Sequence, residues 1–163
     1  MAASPVELDR LVERLRLRIG TSGPVATRRI EAGALAKFAR ATGQTDPRFL
    51  NPDQPNGMMD APPTYLSVFC NDTMQGVITH DLPFDMFLHT DDAVEIHAPI
   101  RAGDTITAVA RYADAYLKQG RNGPMLFQIA EMDLTNQRGD AVATVRVGAV
   151  SFDAPASVER ANG

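Results

Sequence analysis

Apolar positions follow a helical period in the first half of the chain and a two-residue period in the last third. Leu8, Leu11, Val12 and Leu15 fall on one face of Val6–Ile19, opposite Glu13, Arg14 and Arg18, which predicts an amphipathic helix. Ser4, Pro5 and Glu7 form a capping-box start, and Gly20 is a stop. Residues 24–30 alternate as a short strand, and Glu31–Thr42 returns to helical spacing with Leu35, Phe38 and Ala39 on one stripe before Gly43. From Gln44 to Pro63 five prolines and several Asp and Asn predict a long irregular segment, a length that compact domains usually reserve for function. Thr64–Gly76 reads as a second helix, apolar on nearly every side and therefore buried.

Ile78–Thr90 is turn-rich, with Phe84, Met86, Phe87 and Leu88. Alternation then predicts strands over Ala93–Ile100, Thr105–Tyr116, Met125–Thr135 and Ala141–Phe152. Turns at Gly103-Asp104, Gln119–Pro124 and Asn136–Asp140 would join them as an antiparallel meander. A buried helix followed by long antiparallel strands implies an α+β layer, a curved sheet wrapped around a central helix. An additional helix precedes it.

Composition narrows the function classes without choosing one. The chain has 163 residues, enough to bury about 69% of its unfolded surface in a single domain. Its formal charge of −4 lacks the basic footprint of a nucleic-acid binder, and no apolar run spans a bilayer. Cys70 is the sole cysteine, so no internal disulfide can form, which suits a reducing cytoplasm. The stretch MAASPVELDR lacks a basic region followed by an apolar one and is not expected to be a signal peptide, His80, His89 and His97 lack metal-ligand spacing, and no phosphate-binding glycine motif occurs. No metal and no cofactor are expected. The expected division is a helical extension at 1–22, one domain at 23–153 and a flexible tail at 154–163.

The run Phe38-Ala-Arg-Ala-Thr-Gly-Gln-Thr-Asp-Pro-Arg-Phe-Leu-Asn51 resembles the signature of MaoC-like (R)-specific enoyl-CoA hydratases and 3-hydroxyacyl dehydratases. The resemblance extends to Ala61–Leu66, Val94–Thr105 and Gly139–Thr144, and is greatest to the amino-terminal, FAS1-like dehydratase branch. It implies a hot-dog fold, with the antiparallel sheet wrapped around a central buried helix, and two-chain sites that make at least a dimer. It also implies syn addition of water across the 2,3-double bond of an acyl thioester by an Asp/His dyad. At the dyad positions this chain carries Gln44 and Phe49, which cannot exchange a proton at neutral pH.

Three readings follow from that departure. The chain is the dyad-lacking subunit of a heteromeric hydratase, or a self-sufficient hydratase using other groups such as Asp46, Asp53, Asp60 or His89, or a non-catalytic acyl-CoA-binding scaffold. A hot-dog thioesterase using a single carboxylate, Asp60 or Asp72, is the competing enzyme class. Asp46 and His89 are the candidate acid–base residues; Asp46-Pro47 also fits an Asx-turn, and His89 a solvated acidic turn. Candidate substrate contacts are Gln44, Phe49, Pro62, Pro63, Thr64, Tyr65, Arg101 and Arg121. Pro62–Thr64 start the buried helix, whose backbone N–H groups would meet a thioester carbonyl, and the two arginines would meet CoA phosphates. Expected partners are an acyl-CoA or acyl-carrier-protein thioester and a second MaoC-like chain, identical or dyad-bearing.

Overall fold

A computed structural model describes residues 4–53 and 58–154. Most of the expected tail, from 155 onward, lies outside the described residues, as does 54–57 of the proline-rich segment.

The first helix, α1 (Pro5–Arg16), starts as its sequence dictates. The Ser4 hydroxyl accepts from Glu7 N–H at 3.4 Å, and the Ser4 N–H donates to the Glu7 carboxylate at 2.8 Å. Both bonds satisfy donors that a helix start leaves open. Its apolar stripe, Leu8, Leu11, Val12 and Leu15, is buried and belongs to the same hydrophobic cluster as the sheet and the central helix. Arg16 Nε donates to the Ala115 carbonyl at 2.9 Å and Arg18 Nη2 to the Val77 carbonyl at 2.9 Å. The amino-terminal helix therefore packs on its own chain, against β3.

Five strands follow the order β1 (Ser22–Arg29), β3 (Thr105–Gly120), β4 (Gly123–Thr135), β5 (Ala141–Phe152), β2 (Met86–Ile96), every pair antiparallel. The last strand occupies the expected segment, Ala141–Phe152, but it is buried nearly throughout, Val142 and Val150 as well as Ala143, Val145 and Val147, because it lies inside the sheet between β4 and β2. The interior face carries Ile106, Ala108, Ala110 and Tyr112 on β3, Leu126, Ala130, Met132 and Leu134 on β4, and Ala143, Val145 and Val147 on β5. Against it lie α2 (Ala32–Ala41), the four-residue α3 (Pro47–Leu50), and a central helix that starts as a 3₁₀ segment, Pro63–Phe69, and continues as α4, Cys70–Thr73. Tyr65, Leu66, Phe69 and Thr73 of that helix are buried, but Thr64, Ser67 and Asn71 are exposed, so it is covered on one face and not on nearly every side as expected. It is shorter and tighter than the expected Thr64–Gly76, since two prolines set its first turn. Gly23 lets β1 approach it closely: a Cβ there would sit 2.2 Å from the Thr73 carbonyl oxygen.

The expected meander holds for β3, β4 and β5 and fails for β2. That strand starts at Met86, inside the segment that reads as turn-rich, and pairs with β5 on the far edge instead of forming a hairpin with β3. Two physical causes are visible. A bulge between His89 and Asp92 interrupts the alternation of the strand. The connection at 97–104 is bonded elsewhere: His97 and Ala98 N–H donate to the Val142 carbonyl, Ala102 N–H to that of Met59, and Gly103 N–H to that of Ile30. Those bonds carry the chain across the end of the sheet. Among the described residues no helix is long and apolar enough to cross a membrane.

Candidate functional site

The irregular segment between α2 and the central helix is held by local chemistry. Gln44 N–H closes the end of α2 on the Ala39 carbonyl at 2.9 Å. Asp46 caps α3, its carboxylate accepting from Arg48 N–H at 3.0 Å, while Arg48 Nε lies 2.9 Å from the other carboxylate oxygen. Asp46 is thus engaged twice as a structural cap. Its cap orients α3 so that Phe49 points inward, 5% exposed, with the Arg48 guanidinium 4.3 Å above the ring.

Phe49 forms one wall of a cleft of about 170 Å³ between α3, the start of the central helix and the ends of β2 and β5. Asp60, Pro62, Pro63 and Leu66 line it from the helix side, and Ile96, Ala98, Ile100 and Ala143 from the sheet side. The loop carrying Asp60 is fixed to the crossing connection by Ala61 N–H on the Ile100 carbonyl (2.8 Å) and by Arg101 Nε on the Asp60 carboxylate (3.2 Å). The surface is mainly apolar, with one carboxylate and one guanidinium at its rim. Such a space suits an acyl chain better than a charged ligand.

Of the expected contacts, Phe49, Pro62 and Pro63 line this cleft, and Tyr65 is buried directly behind it, edge-on to Phe38 at 5.3 Å. Burial pushes the Tyr65 phenol up, against the pull of Arg28. The expected backbone donors are sparse. Pro62 and Pro63 have no N–H, and Tyr65 donates its own to the Pro62 carbonyl at 2.8 Å. Gln44 is half-buried at the foot of α2, and Arg101 reaches the cleft through its pairing with Asp60. Arg121 stands apart, in the β3–β4 turn beside Phe152 and Asp153.

His89 also stands apart. It lines a second cleft, about 390 Å³, formed by Cys70, Asn71, Met74 and Ile78 of the helix side and by Phe87, Val147 and Ala149 of the sheet. Its Nε2 is 2.8 Å from the Asp92 carboxylate. Residues three apart in a regular strand face opposite sides, so the bulge is what places this pair on one side. Burial, and secondarily Asp92, raise the Cys70 thiol above its ordinary range, which keeps it protonated and poorly nucleophilic. Asp46 and His89 therefore belong to different places in the fold. Ile96, Ala98 and Ala143 were not among the expected contacts, although the stretches Val94–Thr105 and Gly139–Thr144 that carry the resemblance contain them. No cluster of three or more His, Cys, Asp or Glu suited to a metal ion exists among the described residues.

Residues 18–145 match the family described as FAS1-like, dehydratase domain region. Comparison with curated proteins gives no match. Solved structures share the fold at low identity. The truncated HadBC (3R-hydroxyacyl-ACP dehydratase) complex of Mycobacterium tuberculosis superposes with a TM-score of 0.68 at 18% identity, covering 82% of this chain and 97% of that one. A chain of the ChsH1–ChsH2 complex from the same organism gives 0.67 at 16%, covering 91% and 93%. The (R)-hydratase of A. caviae involved in PHA biosynthesis gives 0.56 at 17%, covering 82% and 96%. The architecture is that of the hot-dog hydratases, with an added amino-terminal helix.

Proposed function

Because the chain belongs to the FAS1-like dehydratase family, we propose that it is the dyad-lacking, acyl-thioester-binding subunit of a heteromeric enoyl-thioester hydratase or 3-hydroxyacyl dehydratase. One observation carries this reading. The position that would hold the catalytic imidazole is a buried phenylalanine, Phe49, which seals the wall of an apolar cleft in place of a proton-exchanging group. That two similar folds occur in the two-chain HadBC and ChsH1–ChsH2 complexes supports it further.

In this account the present chain binds and the partner chain reacts. The acyl part of a CoA or acyl-carrier thioester lies against the apolar side chains of Phe49, Leu66, Ile96 and Ile100. The Asp60–Arg101 pair holds the loop that forms the rim. The partner's Asp and His take a proton from water as its oxygen adds to C3, and a proton reaches C2, so one water is consumed per double bond.

The test is co-expression with a chain carrying an intact G-D-x-N-P-x-H segment, followed by loss of enoyl absorbance on a crotonyl or longer enoyl-CoA. A stable complex that hydrates, from a chain silent alone, is the expected result. Efficient hydration by the purified chain alone would refute it. A second reading, a self-sufficient enzyme, is favoured by the His89–Asp92 contact in the second cleft. It requires that His89→Asn abolish an activity the chain shows without a partner.

A further inference from the structure

The two clefts lie along one line. Residues paired directly across strands share a face, so Ile96, Val94 and His89 of β2 stand beside Ala143, Val145 and Ala149 of β5 on the inner side of the sheet. The central helix runs alongside with a stripe of its own. Its Pro63 and Leu66 line the first cleft, and its Cys70 and Met74 line the second. Those four are three or four residues apart, the spacing of one helix face. Between the clefts the strands contribute Val145, which is buried, and Val94, which is 45% exposed although it faces inward. Ile96, also facing inward, is 49% exposed. The helix layer therefore leaves a groove uncovered along the β2 side.

This groove offers a ligand side chains and little else. The backbone of β5 is bonded to β4 on one side and to β2 on the other. The charged pair on its wall, His89 and Asp92, is already joined within itself at 2.8 Å. An extended peptide laid there would give up its backbone hydrogen bonds to water and find none in exchange. A helix bonds its own backbone but is about 10–12 Å across, so a length of about 20 Å needs on the order of 1,500 Å³. The clefts hold about 170 Å³ and 390 Å³. A hydrocarbon chain is narrow and has no polar group to satisfy.

The length of the groove sets the length of that chain. From Ala143 to Ala149, at about 3.3 Å per residue, the floor runs about 20 Å. A zigzag of carbon–carbon bonds about 1.5 Å long advances about 1.3 Å per carbon, so about fifteen carbons span it. We infer that the two clefts are the two ends of one acyl groove, and that the thioester this chain takes carries a long unbranched acyl chain rather than a short one. Phe49, at the dyad position, puts the thioester end at the first cleft. The tail passes Val94 and ends against Met74 and Ile78 in the second cleft, where an unbranched methionine conforms to a flexible tail. The inference rests on the acyl-thioester reading above and names the chain length within it.

Calorimetric titration of the purified chain with two saturated thioesters, palmitoyl-CoA below its micelle concentration and butyryl-CoA, tests it without any turnover. Palmitoyl-CoA should bind roughly a hundredfold more tightly, from the added methylenes taken out of water. Val94→Trp fills the middle of the groove from an exposed position and should bring palmitoyl-CoA down to the affinity of butyryl-CoA. His89→Trp obstructs the far cleft and should weaken palmitoyl-CoA more than decanoyl-CoA. If one variant loses the native circular-dichroism spectrum, the other decides. Equal, measurable affinity for the two thioesters overturns the inference and leaves the thioester reading standing, as does a palmitoyl preference that the folded variants leave intact. Absence of binding by both thioesters strikes both readings. A chain that sediments as a dimer and excludes palmitoyl-CoA while taking butyryl-CoA has its groove filled by a second copy, which overturns the inference alone.

Discussion

The two long margins of the sheet are built for opposite purposes. At one side β1 is locked down: Gly23 brings it against Thr73, and Arg28 pairs with Asp72 of α4. Inward from it, β3 and β4 are covered by α1 and by the central helix, and Gln128 ties the segment beyond that helix to the sheet. Its amide donates to the Thr79 carbonyl at 2.9 Å, and its carbonyl accepts from Thr79 N–H at 3.2 Å and from the Tyr112 hydroxyl at 3.3 Å. At the other margin β2, like β1, pairs with one strand, and both clefts open beside it. The difference is one of packing: the side of β1, β3 and β4 is where the helices pack, and the β2–β5 margin is where the two clefts open.

Substitutions sharpen that contrast, and the largest effects belong to the covered half. Phe69→Ala empties a fully buried position beneath the sheet and should cost about 3–5 kcal/mol in urea denaturation. Gly148→Ala drives a methyl into Thr90 and Asp91 and should cost about 1–3 kcal/mol. It should also break the His89–Asp92 contact, seen as altered imidazole resonances. Ser4→Ala removes one half of the capping box and should cost about 1 kcal/mol. Ile96→Ser, at the open margin, should change the isolated chain's stability by less than about 0.5 kcal/mol while weakening association with a partner. A loss at Ile96 as large as that at Phe69 would erase the distinction.

Tyr112 adds a pH dependence to the covered half. Burial raises its phenol to about 12, against the pull of Arg18, whose guanidinium lies 4.9 Å from the ring centre. The folded state thus favours the neutral phenol more than the unfolded chain does. Its contribution is complete below the unfolded value, near 10, and is lost as pH rises through the folded one. The stability difference between the native chain and Tyr112→Phe should therefore shrink between pH 10 and 12 and stay constant below pH 9, as followed by denaturant midpoints.

How much of this was legible in the sequence differs in the same way between the two regions. The capping box at Ser4 and Glu7, and the strand Ala141–Phe152, are written in local patterns that the interior then uses unchanged. The buried face of Thr64–Gly76 was legible, its exposed face at Thr64, Ser67 and Asn71 was not, and its 3₁₀ geometry depends on how Pro62 and Pro63 meet the rest of the fold. The strand β2 was half hidden. A bulge breaks its alternation, and a strand exposed on both faces lacks the apolar face that burial would impose. At the site, Gln44, Phe49, Pro62 and Pro63 were reached only through a resemblance. No local rule could show that Phe49 would line a cleft with Ile96 and Ala143, which are distant in sequence. Nor could it show that His89 would face a different cleft, whereas the Asx-turn expected at Asp46-Pro47 is present, with Asp46 accepting from Arg48 N–H.

The most direct test of the central claim removes the partner's chemistry and leaves this chain untouched. In a purified complex with a dyad-bearing chain, the partner's catalytic Asp and His are replaced by Asn, and enoyl-thioester hydration is measured. The account predicts that the complex still assembles and that hydration falls to background, since Gln44 and Phe49 supply no proton exchange. Hydration that persists in the dyad-less complex, and is then lost on His89→Asn, would contradict it.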